Sequence, residues 1–294
     1  MQLFRRLVAA VFLAATLGAL ALAEPAFADF PRNWQMGFQA PASPTAVQVD
    51  WLHNLVLVIV TVITLFVAAL LAYVIWRYSA ERNPTPSQTS HNTLLEVAWT
   101  VVPVLILVVI AIPSFRLVYY QDRTTEADLT LKVTAHQWYW EYTYPDSEDL
   151  NFNSYPIAPE DLKPGQMRLL EVDNPVVLPV GKNVRILTTS ADVIHSFFIP
   201  ALGVHRYAIP GRTIETWVRV DRPGMFYGQC NQICGTGHAY MPIAVRAVPE
   251  AEFIAWVADA KQRFATREAP SGTPPSVVRP ATGEQPAVLA AVRD

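Results

Sequence analysis

The chain has 294 residues, enough for one or two domains, and its formal net charge of -3 is too small to imply a nucleic-acid partner. Hydrophobic residues make up 52% of it and charged ones only 16%, a balance that points to membrane segments.

Arg5 and Arg6 open the chain with a short positive region, Leu7 to Ala23 follow as an apolar one, and Ala26-Phe27-Ala28 fits a small-residue cleavage site before Asp29. Residues 1–28 therefore read as an export signal. The apolar part is long, so an uncleaved membrane anchor is the alternative. Either way, the segment 29–50 emerges on the outer side of the membrane, which suits a bacterial periplasm.

From Leu55 to Trp76 no residue is charged, and at ~1.5 Å per residue the run crosses about 30 Å of hydrocarbon. Trp51, Trp76 and Tyr78 flank it as interfacial aromatics do. A second uncharged run extends from Val97 to Phe115 between Glu96 and Arg116, with Pro103 and Pro113 inside it. These runs predict helices over about 52–76 and 95–117, a transmembrane hairpin at 51–120. The polar turn between them, Arg77 to Thr93, carries only Arg77 and Arg82 as basic residues, a weak orientation signal. The topology rests more on the export signal: hairpin turn inside, everything after Tyr120 outside. Glu96 has two readings, a helix-start acid favoured by the macrodipole or an ionisable group marking an ion path at the membrane boundary.

Beyond Asp128 the period changes to two, with Leu129, Leu131 and Val133 alternating with polar residues. Further strands are predicted at Met167–Val172, Val184–Thr189, Thr213–Val220 and Ile243–Val248, separated by turns such as Lys163-Pro164-Gly165 and Arg222-Pro223-Gly224. Short strands with Pro-Gly turns and no long helix give a β-sandwich or barrel over 121–265. The aromatic run His136 to Tyr142 reads as a strand whose rings pack the core. The acids Asp146, Glu148, Asp149, Asp173 and Asp192 read as solvated loop charges. From Pro249 to Ala265 the chain turns helical, with Phe253, Trp256, Val257 and Phe264 on one face. The Pro- and Ala-rich tail 266–294 reads as disordered.

Both cysteines, Cys230 and Cys234, fall within one loop-sized stretch together with His238 and Met241. In an exported protein two cysteines ordinarily form a disulfide. A bridge explains neither His238, nor Met241, nor the distant His195. Two thiolates, an imidazole and a thioether form a soft donor set that selects copper over hard cations, and His195 is the best outside donor. A mononuclear blue-copper site would use one cysteine and leave the other idle.

The stretch Tyr227-Gly228-Gln229-Cys230, Ile233-Cys234-Gly235, His238 and Met241-Pro242-Ile243 resembles the dinuclear copper loop of cytochrome c oxidase subunit II. The resemblance implies a transmembrane hairpin followed by an all-β, cupredoxin-like Greek-key barrel. It also implies two copper ions held by His195, Cys230, Cys234, His238, Met241 and the backbone carbonyl of Gln232. Trp138 would receive electrons from cytochrome c, and the acids named above would attract that donor. Glu96 would lie at the mouth of a proton channel in subunit I. Subunits I and III would be the membrane partners, the haems would sit in subunit I, and the inner membrane of a bacterium would be the location. The family has glutamate where this chain has Gln232, so a Mg ion shared with subunit I would be held weakly or not at all. A fused cytochrome c domain would need Cys-x-x-Cys-His, and no cysteine follows Cys234, so the donor would be a separate protein. A quinol-oxidase subunit II lacks the copper donors, which this chain keeps. A copper delivery protein would need an open, exchangeable site.

Overall fold

The computed structural model describes residues 28–122 and 126–265. The export signal, Ala28 apart, and the tail 266–294 lie outside the described residues.

Helices α1 (Pro44–Arg77) and α2 (Thr93–Asp122) form the apolar hairpin. Their side chains point outward from the protein almost throughout, as in Leu65 at 65% and Leu107 at 65% exposure, which in water would be untenable over two whole helices. Both helices outrun the lengths expected from hydropathy, for a tertiary reason. Ser43 caps α1 by accepting from Ala46 N at 3.0 Å, and its own hydroxyl donates to Leu202 O at 2.7 Å. At the other end of the hairpin, Trp217 Nε1 donates to Tyr120 O at 2.8 Å, Thr216 Oγ1 to Gln121 O at 3.0 Å, and Arg206 pairs with Asp122. The first two contacts satisfy carbonyls that α2 leaves open at its C-terminus. They seat the hairpin directly on the β-domain.

After the short β1 (Ala28–Asp29), the domain is built from β2 (Leu129–His136), β3 (Tyr139–Tyr144), β4 (Leu150–Ser154), β5 (Val176–Pro179) and β6 (Val184–Ser190). It continues with β7 (His195–Ile199), β8 (Val204–Ala208), β9 (Ile214–Val218), β10 (Gly224–Cys230), β11 (Pro242–Val248) and helix α3 (Glu250–Ala265). One sheet runs β4-β3-β2-β6-β9, the other β5-β11-β10-β7-β8 with β1 beside β10. Leu131, Val133 and Ala135 of β2 and Trp140, Tyr142 and Tyr144 of β3 point inward from the first sheet. Phe197, Ile199, Phe226, Ile243 and Val245 meet them from the second, closing a two-sheet sandwich. Tyr144 ties the two sheets. Its hydroxyl donates to Val177 O at 2.9 Å and accepts from Val177 N at 3.0 Å. Helix α3 covers one open end, with Trp256 against Tyr144 at 5.4 Å between ring centroids and Phe264 stacked on Phe152 at 4.8 Å.

The strand expected at Met167–Val172 is absent. Leu170 N and Glu171 N both donate back to Met167 O, and Leu169 takes φ 67, so the segment is a pair of turns. Only Val172 makes an isolated bridge, to Pro156. The segment serves instead as a buttress: Tyr227 donates its hydroxyl to Glu171 Oε1 at 2.8 Å, and Gln229 Nε2 donates to Leu169 O at 3.1 Å.

Candidate metal centre

The functional end of the sandwich is where β7 begins and β10 stops. Cys230 is the last residue of β10 and pairs with Phe197, so the opening of β7 places His195 beside it. The loop 231–241 then returns to β11. Its two ends are fastened by Cys230 N donating to Met241 O at 3.0 Å and Asn231 N to Ser196 O at 3.1 Å. Tight turns within the loop, His238 N to Gly235 O and Tyr240 N to Gly237 O, bring His238 back over Cys234.

The donor atoms converge. Cys230 Sγ lies 3.8 Å from His195 Nδ1 and 3.9 Å from Cys234 Sγ, and Cys234 Sγ lies 3.6 Å from His238 Nδ1. The carbonyl oxygen of Gln232 stands 3.3 Å from Cys230 Sγ. Both cysteines are free thiols, and their sulfurs are far beyond the ~2.05 Å of a disulfide. His195, Cys230 and Cys234 offer donors within 4.8 Å of one another, all buried. Met241 is fully buried and packs in the same core as the two cysteines.

Electrostatics divides the two thiols. Burial alone would raise Cys230, but hydrogen bonds from His195 and the Ser196 backbone outweigh it and the thiol is lowered to about 6. Burial, then the charge on Cys230, pushes Cys234 up to about 12. The two sulfurs thus oppose each other's ionisation, and a bound cation would stabilise both as thiolates.

His195 is set by Asp192. The ring's Nε2 lies 2.8 Å from Asp192 Oδ1, a contact that orients the imidazole and turns Nδ1 toward Cys230. There Nδ1 donates to the thiolate while the ring is protonated and would offer its lone pair once a metal displaced that proton. Burial lowers His195, but contacts with Cys230 and Asp192 outweigh it and the imidazole ends raised. Burial would raise Asp192, but hydrogen bonds from His195, Val193 N and Gln137 N keep its carboxyl below the usual range. Read from sequence, Asp192 is one docking acid among five; the structure gives it this inward contact. The Asp-x-x-His spacing was the only signal for it.

Trp138 is half-buried rather than an open surface ring. It rests on the loop, with Nε1 donating to Cys234 O at 3.3 Å. Its neighbour Gln137, which carries no motif signal in the sequence, donates Nε2 to the same carbonyl at 2.7 Å and its backbone N–H to Asp192 Oδ2 at 2.6 Å. The other acids lie elsewhere. Asp146, Glu148 and Asp149 are exposed near the far end of β3, about 17 Å along the strand from Tyr139 at ~3.4 Å per residue. Asp146 accepts from Thr130 N, Asp173 accepts from Tyr155 N, and Glu148 pairs with Lys261 at 3.1 Å. Glu96 accepts from Asn92 N at 3.2 Å while Asn92 Oδ1 accepts from Leu95 N, so its helix-start contact is real.

Compared with known proteins, residues 129–248 match the model of the cytochrome c oxidase subunit II periplasmic domain, and residues 31–117 match that of its transmembrane domain. The chain belongs to the cytochrome c oxidase subunit II family. A probable cytochrome c oxidase subunit 2 of Rickettsia bellii is 48% identical over 252 residues, covering 86% of this chain and 94% of the relative. The cytochrome c oxidase subunit 2 of Cereibacter sphaeroides is 43% identical over 271 residues, covering 86% and 89%. A solved periplasmic domain of cytochrome oxidase subunit II from Bradyrhizobium japonicum is 51% identical, with a TM-score of 0.45, over 48% of this chain and 99% of that one. As a member of this family the chain is a membrane protein and part of an oxidoreductase.

Proposed function

We propose that this subunit holds two copper ions and passes electrons from cytochrome c to haem in subunit I, where oxygen reduction is coupled to proton pumping. The observation that carries the reading is the pair of unbonded thiols 3.9 Å apart, each with an imidazole Nδ1 within 3.8 Å. Cys230, Cys234, His195, His238, Met241 and the Gln232 carbonyl form a soft, largely buried set that fits copper and leaves no donor idle. Bound there, copper would supply a one-electron acceptor and donor.

The protein's own part is to hold that set still. Asp192 fixes the tautomer and tilt of His195, the strand ends fix the two cysteines, and Glu171 and Leu169 brace the strand beneath them. A site that cannot rearrange wastes little energy when its charge changes. Burial of Cys230, Cys234 and Met241 keeps water from competing for the metals.

Trp138, seated on the loop, is the residue that receives electrons from cytochrome c. Asp173, bonded at Tyr155 N beside Tyr139, and the outer edge of Asp192 would draw a lysine-rich donor toward this side, while Asp146, Glu148 and Asp149 at the far end of β3 would add only to the long-range negative field, an attraction that fades with salt. Glu96 would serve a proton path of subunit I, and the β-domain would face the periplasm of a bacterium, with subunit III as a further neighbour. Gln232 keeps the copper-directed carbonyl but offers only a neutral amide to a hard ion, so a Mg ion at the subunit I boundary is weakly held or missing. Tight, stoichiometric Mg or Mn on that side chain in the purified complex would contradict this, and Gln232→Glu should strengthen binding. Copper analysis of the complex tests the main reading: two ions in this subunit support it, one or none rejects it.

A further inference from the structure

The indole of Trp138 packs against the edge of the core and also lies close to the backbone of the loop. A Cβ built on Gly237 would stand 2.6 Å from both Cγ and Cε3 of Trp138 and closer still to Cδ2. One built on Gly235 would stand 3.0 Å from Cζ2 and 3.1 Å from Gln137 Nε2. The ring therefore spans both glycines, with Cγ, Cδ2 and Cε3 over Gly237 and Cζ2 and Cε2 over Gly235. In that seat Nε1 reaches Cys234 O, the carbonyl it shares with Gln137.

The two glycines are needed for different reasons. Gly235 has φ 121, a backbone that excludes other residues whatever surrounds it. Gly237 has φ -89 and ψ 9, which any residue can adopt. The three nearest atoms that a side chain there would meet all belong to the indole. The atoms in the way are Cγ and the fused ring, close to the Trp138 backbone, so they cannot swing aside without turning the whole indole.

We propose that Gly237 is a positioning residue for Trp138: by carrying no Cβ it lets the indole lie flat on the loop, in reach of the Cys234 carbonyl. The inference rests on the reading of Trp138 as the residue that receives electrons. In that step ferrous cytochrome c is oxidised by one electron and the copper site is reduced by one, with no bond made or broken. Tunnelling decays exponentially with the gap, so lifting the ring slows the step. The ligands and the docking acids are untouched, so copper content and donor affinity hold.

The test compares Gly237→Ala, Trp138→Phe and the double variant in the purified oxidase complex. The readouts are copper content, the Kd for cytochrome c, the single-turnover rate of electron transfer from it, and the Trp138 indole position by electron cryo-microscopy. The expected result is an indole displaced from Cys234 O and a rate on the order of tenfold lower in Gly237→Ala, as for a reacting group misplaced by a fraction of an ångström. Copper content and Kd stay at parent values, and Gly237→Ala has no further effect in the Trp138→Phe background. A parent-like rate in Gly237→Ala beside a slow Trp138→Phe overturns the role of Gly237 and leaves that of Trp138 standing. A parent-like Trp138→Phe overturns the electron-receiving role itself, and this proposal with it. Equal losses from Gly237→Ala in both backgrounds mean damage to the loop, which also overturns it.

Discussion

The membrane hairpin and the metal loop follow opposite rules. In α1 and α2 the side chains are apolar and exposed, Leu65 and Leu107 both at 65%, so each meets lipid almost independently of its neighbours. In the loop, Cys230 is 6% exposed and His195 0%, and each side chain is placed by another residue: His195 by Asp192, Cys230 by the Met241 carbonyl, Trp138 by the loop glycines. Composition is enough to make the first region. The second depends on mutual placement, so single changes there should be costly and single changes in the hairpin cheap.

The sharpest break of that contrast is Cys234→Ser. An alcohol cannot replace a thiolate toward copper, so copper analysis should find the dinuclear centre lost while the subunit still inserts and folds. Asp192→Asn comes next. It keeps the shape but weakens the acceptor that orients His195, and chelator competition should show metal affinity falling by about 10- to 100-fold. Neutralising Asp146, Glu148 and Asp149 together should act more mildly, loosening cytochrome c several-fold at low ionic strength and hardly at all at high salt, measured as Kd against salt. At the bottom of the scale, Leu65→Ile in α1 should shift stability by no more than about 0.5 kcal/mol and leave electron transfer unchanged. A loss of electron transfer in that last variant would remove the distinction between the two regions.

The same contrast explains what could be read before the fold was in view. The run Leu55–Trp76, the alternation at Leu129, Leu131 and Val133, and the aromatic face of α3 all follow from patterns internal to one element. The crowding of Cys230, Cys234, His238 and Met241 into one stretch was likewise local, and the loop's turns carry it through to close contact. Asp192 read as one more surface acid because its bond to His195 depends on how the chain turns between β6 and β7. The true ends of α1 and α2 depend on Leu202, Thr216 and Trp217, far along the chain. At Met167–Val172 the apolar residues suggested a strand, yet they face the Tyr227 side of β10 from a pair of turns. No local period encodes that.

The central claim is that two thiols held apart by their imidazoles form one shared dinuclear copper site. Electron paramagnetic resonance of the oxidised complex, with copper quantified in the same sample, tests it most directly. The account predicts hyperfine structure from one unpaired electron shared equally between two copper nuclei, lost in Cys230→Ser and Cys234→Ser alike. A spectrum from a single localised copper, or a normal two-copper signal surviving Cys234→Ser, would contradict it.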